Sequence, residues 1–250
     1  INPWMSVDPT AERALMGRSV RYPPLADKAA EMLPLAGIRV DARTNGFHGQ
    51  NGSADISIMD LNTQEQRFID IGEAKMLSMS WSADGERLAM SLKYPDHIAL
   101  WMGTADGKGS VVEGIALNPL IGSAMQWIPD QSGLVVLTVP SDRGAPPEAP
   151  LIPLGPVTRE DSKGTATSTY EARDLLQSAH DDALFTYYAT SQIALIDAES
   201  LSLSPIGDPA VYITAGPSPN GEYFLIERMM PPWSHRHAWW RFAHDIEVWN

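Results

Sequence analysis

Short apolar runs bounded by turn residues recur along the chain. Several alternate apolar and polar residues, which is typical of strands with one buried face. Seven runs predict strands: ADISIMDL (54–61), RLAMSL (87–92), HIALWMG (97–103), GLVVLTVP (133–140), QIALID (192–197), YFLIER (223–228) and DIEVWN (245–250). Asp-Gly or Asn-Gly pairs lie in the turns at 83–85, 105–107 and 218–221, and they suit the positive φ angles of tight hairpin turns.

Two submotifs repeat along the chain. The first occurs in SWSADGERLAM, QWIPDQSGLVV and AGPSPNGEYFLI, with steps of about 47 and 89 residues, and a degenerate copy, WMSVDPTAERALMGR, opens the chain. The second is apolar-x-apolar-x-Asp/Trp before a turn, in ISIMDLNTQEQ, IALWMGTADGK, IALIDAESLS and IEVWN. A unit of about 45 residues with four short antiparallel strands is typical of a β-propeller blade. An unrelated all-β sandwich is the alternative.

The pattern therefore predicts an all-β fold, with residues 1–250 forming the N-terminal part of a β-propeller domain. About four four-stranded blades are expected, the first and last of them incomplete. Because a propeller removes its sheet edges by closing, and the chain stops within a strand-like run, we expect further blades beyond residue 250.

Residues 141–190 interrupt the repeat. The first half is rich in Pro, Gly, Ser and Thr and predicts an extended loop, whereas residues 170–188 have apolar residues at spacings that favour one or two short helices. We interpret the segment as an insertion carried by a blade, not a separate domain. Its YEARDLLQSAHDD stretch could bind a partner, but such a helix more often packs on its own protein.

Composition narrows the function classes. The chain has 250 residues and a formal net charge of −13, which argues against nucleic-acid binding because phosphate contacts need a basic surface. It has no Cys, which excludes disulfides and thiolate metal sites. No apolar run is long enough to predict a membrane span.

Catalytic motifs are missing from the sequence. It contains no G-x-S-x-G, P-loop, H-E-x-x-H, G-x-G-x-x-G or EF-hand pattern, so no catalytic residue is predicted within it. His235 and His237 would share one face of a strand and His244 follows, but the sequence singles out no third ligand, and Arg236 would oppose a cation. Neither a metal nor a cofactor is predicted.

The stretch MMPPWSHRHAWWRF (229–242) concentrates aromatic and basic residues in an acidic chain. Arg236 and Arg241 offer guanidinium forks that match carboxylates, although such residues more often form ion pairs with local acids or lie on aromatic faces. The Trp residues here are better explained as packing than as a stacking platform. The candidate substrate-binding residues are Arg236, Arg241, Trp233 and Ser234.

Longer stretches resemble the glutamyl endopeptidase branch of the prolyl oligopeptidase family of serine peptidases. They are YPPLAD to TNG (22–46), SWSADGERLAMSL (80–92), VPSDRGAPPEAPLIPLGP (139–156), DLLQSAHDDALFTYYATSQIALID (174–197), PIGDPAVYI (205–213) and RFAHDIEVW (241–249). The resemblance implies a seven-bladed propeller that restricts access to a C-terminal α/β-hydrolase domain. That domain would hold the Ser-Asp-His triad, so none of the triad maps onto this chain. The branch includes a plant chloroplast enzyme that cleaves after Glu, so the resemblance implies the same preference as an expectation.

One departure affects the expected specificity. Relatives tend to have Arg-Pro-aromatic-Ser where this chain has Pro231-Pro232-Trp233-Ser234. If the family Arg reads an acidic side chain, Arg236 is a candidate replacement.

The resemblance implies a non-catalytic propeller portion that gates and lines a peptidase active site. Its partners would be the remaining blades, the hydrolase domain and a peptide substrate. The alternative is a non-catalytic Tol-type propeller that binds a protein or glycan, since such propellers share the WSxDG turn. Periplasmic or secreted localisation is favoured over cytoplasm or plastid.

Overall fold

The computed structural model describes residues 2–22, 25–149 and 174–250, and over these ranges antiparallel strands dominate. The first nine strands are β1 (Asn2–Val7), β2 (Arg13–Ser19), β3 (Met32–Leu35), β4 (Ile38–Asp41), β5 (Gly46–Phe47), β6 (Ser53–Asp60), β7 (Gln66–Phe68), β8 (Lys75–Trp81) and β9 (Arg87–Lys93). The others are β10 (Ile98–Thr104), β11 (Gly109–Val111), β12 (Met125–Trp127), β13 (Gly133–Thr138), β14 (Ser191–Asp197), β15 (Leu203–Ala210), β16 (Tyr212–Pro217), β17 (Phe224–Met229) and β18 (His244–Trp249). The helices are α1 (Leu25–Lys28), α2 (Ala179–Ala189) and a 3-10 helix, Trp239–Arg241.

Most strands form four antiparallel groups, which we call blades I to IV. Blade I is β1-β2-β6-β7, blade II is β8-β9-β10-β11, blade III is β12-β13-β14-β15 and blade IV is β16-β17-β18. Blades I and II are joined at one point, where Ser53 pairs with Met76. The predicted all-β propeller fold of about four blades is confirmed, and each of the seven predicted strands corresponds to an observed one. The expectation that the first blade is incomplete is wrong, because β1 and β2 complete it.

The repeated turn has a common hydrogen-bonding pattern. In blade II, Ser82 Oγ donates to Asp84 Oδ1 (2.5 Å) and accepts from the Arg87 amide (2.9 Å). In blade IV, Ser218 Oγ donates to Asn220 Oδ1 (2.7 Å) in the same way. In these two copies a short polar side chain two residues after a Ser closes the hairpin locally, whereas the third copy has Pro129 at the Ser position.

The blades stack face to face, because successive side chains of a strand point to opposite faces. In β13, Leu134 and Val136 pack towards blade II, whereas Val135 and Leu137 pack towards blade IV. Leu88 of β9 packs towards blade I in the same manner. Burial on both faces accounts for the uninterrupted apolar runs that predict these strands.

Three blades carry a long insertion between their second and third strands. Insertion I is residues 20–52, insertion III is residues 139–190 and insertion IV is residues 230–243, whereas the equivalent connection in blade II is the short turn 94–97. All three insertions leave the propeller at the same end, which we call the insertion end.

The segment predicted as a blade insertion, 141–190, lies between β13 and β14. Its helix α2 begins later than predicted, and the predicted helical residues 170–173 lie outside the described ranges. Insertion I, with its small sheet β3-β4-β5, was not foreseen as an insertion.

Candidate functional site

The three insertions meet in one apolar cluster at the insertion end, which we call the cap cluster. Its members include Leu35, Ile38 and Val40 from insertion I, Leu176, Phe185 and Tyr188 from insertion III, and Trp233, Trp239 and Phe242 from insertion IV. Burial of each large apolar side chain contributes about 1.5–3 kcal/mol relative to exposure. The insertions therefore form one packed substructure, not three independent loops.

Helix α2 is fixed at the centre of this cluster. Its capping box joins Ser178 and Asp181, each side chain accepting a hydrogen bond from the other's backbone amide. Phe185 is fully buried and makes edge contacts with Trp233 and Phe242, at centroid distances of 5.1 and 5.6 Å. The described part of the stretch considered for partner binding thus packs on its own protein.

Trp233, a predicted site residue, anchors insertion IV to α2. Its ring stacks on Phe242 at 5.6 Å, and its Nε1 donates to Thr186 Oγ1 at 2.8 Å. Next to it, His235 Nε2 lies 2.8 Å from Asp182 Oδ1 on the same helix. Trp233 therefore positions the loop that carries the other candidates.

The other three candidates lie on the outside of insertion IV. Ser234 Oγ accepts a hydrogen bond from the Arg236 amide at 3.2 Å and so shapes the turn. Arg236 and Arg241 are exposed, and half-exposed Trp240 precedes Arg241 in the 3-10 helix. Across residues 2–22, 25–149 and 174–250, neither guanidinium has a carboxylate within 4.0 Å or lies over an aromatic ring. Both are available to a ligand.

Sequence reasoning missed a polar network beneath the cap cluster. Arg143 lies 4.0 Å above the Tyr187 ring and donates to Asn45 Oδ1 at 2.6 Å. Asn45 and Asn118 both donate to the Tyr188 carbonyl, at 3.1 and 2.9 Å. The stretches containing Asn45 and Arg143 contribute to the family resemblance, but their pairing across the chain leaves no periodic signal.

In the part of the chain that the structure describes, no three His, Cys, Asp or Glu side chains come together in a group suited to a metal ion. None of the helices in the described ranges has both the length and the apolar character required to cross a bilayer.

Structural comparison gives matches at low identity. An acylaminoacyl peptidase from Pyrococcus horikoshii matches 100% of this chain and 31% of its own, with 13% identity and a TM-score of 0.47. The β-propeller domain of the Trilobed protease from Pyrococcus furiosus matches 98% of this chain and 54% of its own, with 11% identity and a TM-score of 0.43. TolB from Acinetobacter baumannii matches 99% of this chain and 40% of its own, with 10% identity and a TM-score of 0.41. The similarity at this level carries no information about function.

Sequence comparison gives stronger matches, although no protein-family model matches the chain. A probable chloroplastic glutamyl endopeptidase of Oryza sativa is 31% identical over 99% of this chain, and that of Arabidopsis thaliana is 32% identical over 99%. The chain spans 28% and 27% of the lengths of these relatives. The predicted resemblance is therefore confirmed: nearly the whole chain is similar to one part of the glutamyl endopeptidases.

Proposed function

We propose that this chain is the propeller portion of a serine peptidase of the prolyl oligopeptidase family, and that the whole protein cleaves peptides after Glu. The observation that carries the proposal is identity of 31–32% with glutamyl endopeptidases over 99% of the chain. Catalysis would come from an α/β-hydrolase domain elsewhere in the protein, where a Ser nucleophile, its His base and an Asp perform acyl transfer.

The insertion end would gate and line the substrate cavity shared with that domain. Its support is the cap cluster, which joins three insertions into one packed unit at one end of the propeller. Sites that position substrate work best on elements whose side chains are fixed by packing. Insertion IV meets this condition, because Trp233 and Phe242 hold it against α2.

Arg236 and Arg241 would bind the acidic side chain of the substrate. Both are exposed and have no carboxylate partner among the described residues, in a chain whose formal net charge is −13. Pro231 occupies the position where the family resemblance expects an Arg, so these two guanidiniums would take over its role. Ser234 would hold the turn, and Trp233 would fix its orientation.

Two sheet faces support the expected association with further blades. On blade I, Met5, Val7 and Phe68 are exposed on the face opposite blade II, beside a groove of about 710 Å³. On blade IV, Ile246 and Val248 are exposed on the face opposite blade III. The corresponding faces of blades II and III are buried in apolar clusters, so we propose that further blades cover these two.

The compartment stays a prediction. The two plant relatives are chloroplastic, which agrees with a plastid location, whereas export to the periplasm or outside the cell was favoured from the sequence.

The test compares this chain with the whole protein that contains it, using matched peptides with Glu or Gln at the cleaved bond. We expect the whole protein to cleave the Glu peptide and the isolated chain to cleave neither. In the whole protein, Arg236→Gln with Arg241→Gln should raise KM for the Glu peptide about tenfold or more, since charge-assisted hydrogen bonds contribute about 1.5–3 kcal/mol. KM for the Gln peptide should not change.

Arg67→Gln is the matched control, because Arg67 is an exposed arginine paired with Asp106 at 3.2 Å. Hydrolysis of either peptide by the purified chain alone would contradict the proposal that catalysis comes from a domain elsewhere in the protein. A gene with no G-x-S-x-G motif followed by Asp and His would support the Tol-type binding propeller instead.

A further inference from the structure

A small pocket lies where insertion I meets the seam between blades I and II. Its volume is about 160 Å³, and its lining includes Val20, Gln50, Lys75, Lys93 and Tyr94. A void of this size holds several waters or a group the size of a small side chain. The pocket is separate from Arg236 and Arg241, which do not line it.

Lys93 lines this pocket with a largely buried side chain. Its side chain is only 10% exposed, and its Nζ lies 3.8 Å from Asp41 Oδ2, which is beyond hydrogen-bonding distance. The Asp41 carboxylate is already engaged, because Arg43 Nε and Nη2 donate to it at 3.0 and 2.8 Å. No described residue accepts a hydrogen bond from the Lys93 ammonium.

Lys75 adds a second ammonium on the neighbouring strand. It pairs directly opposite Lys93 in the register of β8 and β9. Like charges at opposite positions of an antiparallel pair destabilise a sheet. Lys75 also has no carboxylate within 4.0 Å in the described ranges, so this repulsion is only partly offset by Asp41.

The pocket also contains an unpaired acceptor. Gln50 Oε1 is buried and has no hydrogen-bond donor among the described residues. A buried polar atom without a partner costs about 1–3 kcal/mol. Among the described residues, neither lysine ammonium donates a hydrogen bond and the Gln50 carbonyl oxygen accepts none.

Two acids bound the site. Asp27, which lies 3.8 Å from Arg43, and Glu73 line the pocket together with Arg43, Lys75 and Lys93. With Asp41, which lies outside the lining but within 4.0 Å of Arg43 and Lys93, three carboxylates accompany the three cations. Because the acids balance the formal charge, the pocket suits a singly charged anion better than a polyanion.

We propose that this pocket binds the C-terminal residue of a peptide. Its carboxylate would accept from the ammoniums of Lys93 and Lys75, and its amide N–H would donate to Gln50 Oε1. A C-terminal residue supplies both a single carboxylate and an adjacent N–H. The proposal stands on the pocket alone and does not depend on peptidase activity.

The test is calorimetric titration of the full chain at constant ionic strength. N-acetylalanine presents a terminal carboxylate with an adjacent N–H. Acetyl-glutamate amide has only a side-chain carboxylate, and acetate and inorganic phosphate have no N–H at all. We expect saturable binding of N-acetylalanine that is tighter than binding of the other three probes. Lys93→Met should weaken it at least tenfold and Lys75→Met severalfold.

Lys108→Met is the matched control, because Lys108 is an exposed lysine 2.7 Å from Asp106, and we expect a change of less than twofold. If Lys93→Met does not fold, as judged by circular dichroism, Lys75→Met carries the test. Unchanged binding in the folded variants, or no saturable binding at all, would refute the site. Tighter binding of phosphate or acetyl-glutamate amide would refute a C-terminal ligand.

Discussion

At the scale of single residues, Asp41 shows how one buried carboxylate can organise an insertion. The residue is fully buried at the end of β4, and its own carbonyl accepts the amides of Thr44 and Asn45. Burial pushes the pKa of Asp41 up, but hydrogen bonds from the Arg43 side chain and amide, with the charges of Arg43 and Lys93, outweigh it and lower the pKa below its usual value. Asp41 therefore stabilises the fold only when ionised.

We expect Asp41→Asn to lower the free energy of unfolding by about 1.5–3 kcal/mol at pH 7, because it removes the charge-assisted hydrogen bonds from half-exposed Arg43 and leaves the largely buried Lys93 without its nearest carboxylate. The pKa of Asp41 is lower in the folded state than its value of about 3.9 in the unfolded state, so the ionised carboxylate stabilises the fold above about pH 3.9. That stabilisation is lost as the pH falls through the pKa of the folded state. Urea unfolding between pH 7 and pH 2 should show the wild type and variant converging below about pH 4.

The matched control for this titration is Asp142→Asn, at an exposed acid. It should change the unfolding free energy by less than about 0.5 kcal/mol at any pH. A gap between wild type and Asp41→Asn that stays constant down to pH 2 would show that Asp41 acts through packing and not through its charge.

Residue pairings were the part that sequence reasoning could least predict. The exposed arginines of insertion IV were identified because an aromatic-basic stretch stands out in an acidic chain. Arg143 and Asn45 were not identified, since their contact joins residues 98 apart in the chain. Lys75 and Lys93 look like ordinary surface lysines until the fold of insertion I places Lys93 under cover.

At the scale of elements, the turn of insertion I fits closely against insertion IV. Gly37 has φ of +89°, and a Cβ added there would lie 2.7 Å from Ala238 Cβ. Next to it, the Trp239 amide donates to the Ala36 carbonyl at 2.9 Å. The left-handed backbone and the close approach both require glycine.

We expect Gly37→Ala to lower the free energy of unfolding by about 2–4 kcal/mol, combining backbone strain with displacement of insertion IV. Gly49→Ala is the matched control, because Gly49 also has a positive φ, +69°, but a Cβ there meets no atom within 4 Å. It should cost only about 1 kcal/mol. Thermal unfolding of both variants measures the difference, and equal losses would mean that the contact with Ala238 does not matter.

Element prediction succeeded where burial produced a strong local pattern. The seven predicted strands have long apolar or alternating runs, because each packs between two blades or at the face of one. The strands of the small sheet in insertion I span only four, four and two residues. Their apolar residues pack in a cluster that insertions III and IV complete, so the local sequence carries too little periodicity to predict them.

At the scale of the whole molecule, the outward faces of blades I and IV distinguish this chain from a closed propeller. Ile246 is 66% exposed and Val248 is 67% exposed, side by side on the face opposite the core of blade IV. Exposed apolar sheet faces tend to find a partner. In the isolated chain, the available partner is a second copy.

We expect the isolated chain to self-associate in sedimentation velocity experiments as its concentration rises. Val248→Lys should shift the dissociation constant upwards by about tenfold or more, because a charge replaces buried apolar area. Tyr22→Lys removes an apolar side chain that is 77% exposed but lies on neither face, and it should leave the association unchanged. An equal effect of both variants would point to nonspecific association.

The residues of the cap cluster are synthesised at widely separated times. Insertion I contributes Leu35, Ile38 and Val40, but Phe242, with which they share the cluster, is made about 200 residues later. At about 5–20 residues per second, the ribosome needs roughly 10–40 s to supply it. During that interval the apolar side chains of insertion I lack the partners from insertion IV that later cover them, while blades I and II already have the chain needed to pack together.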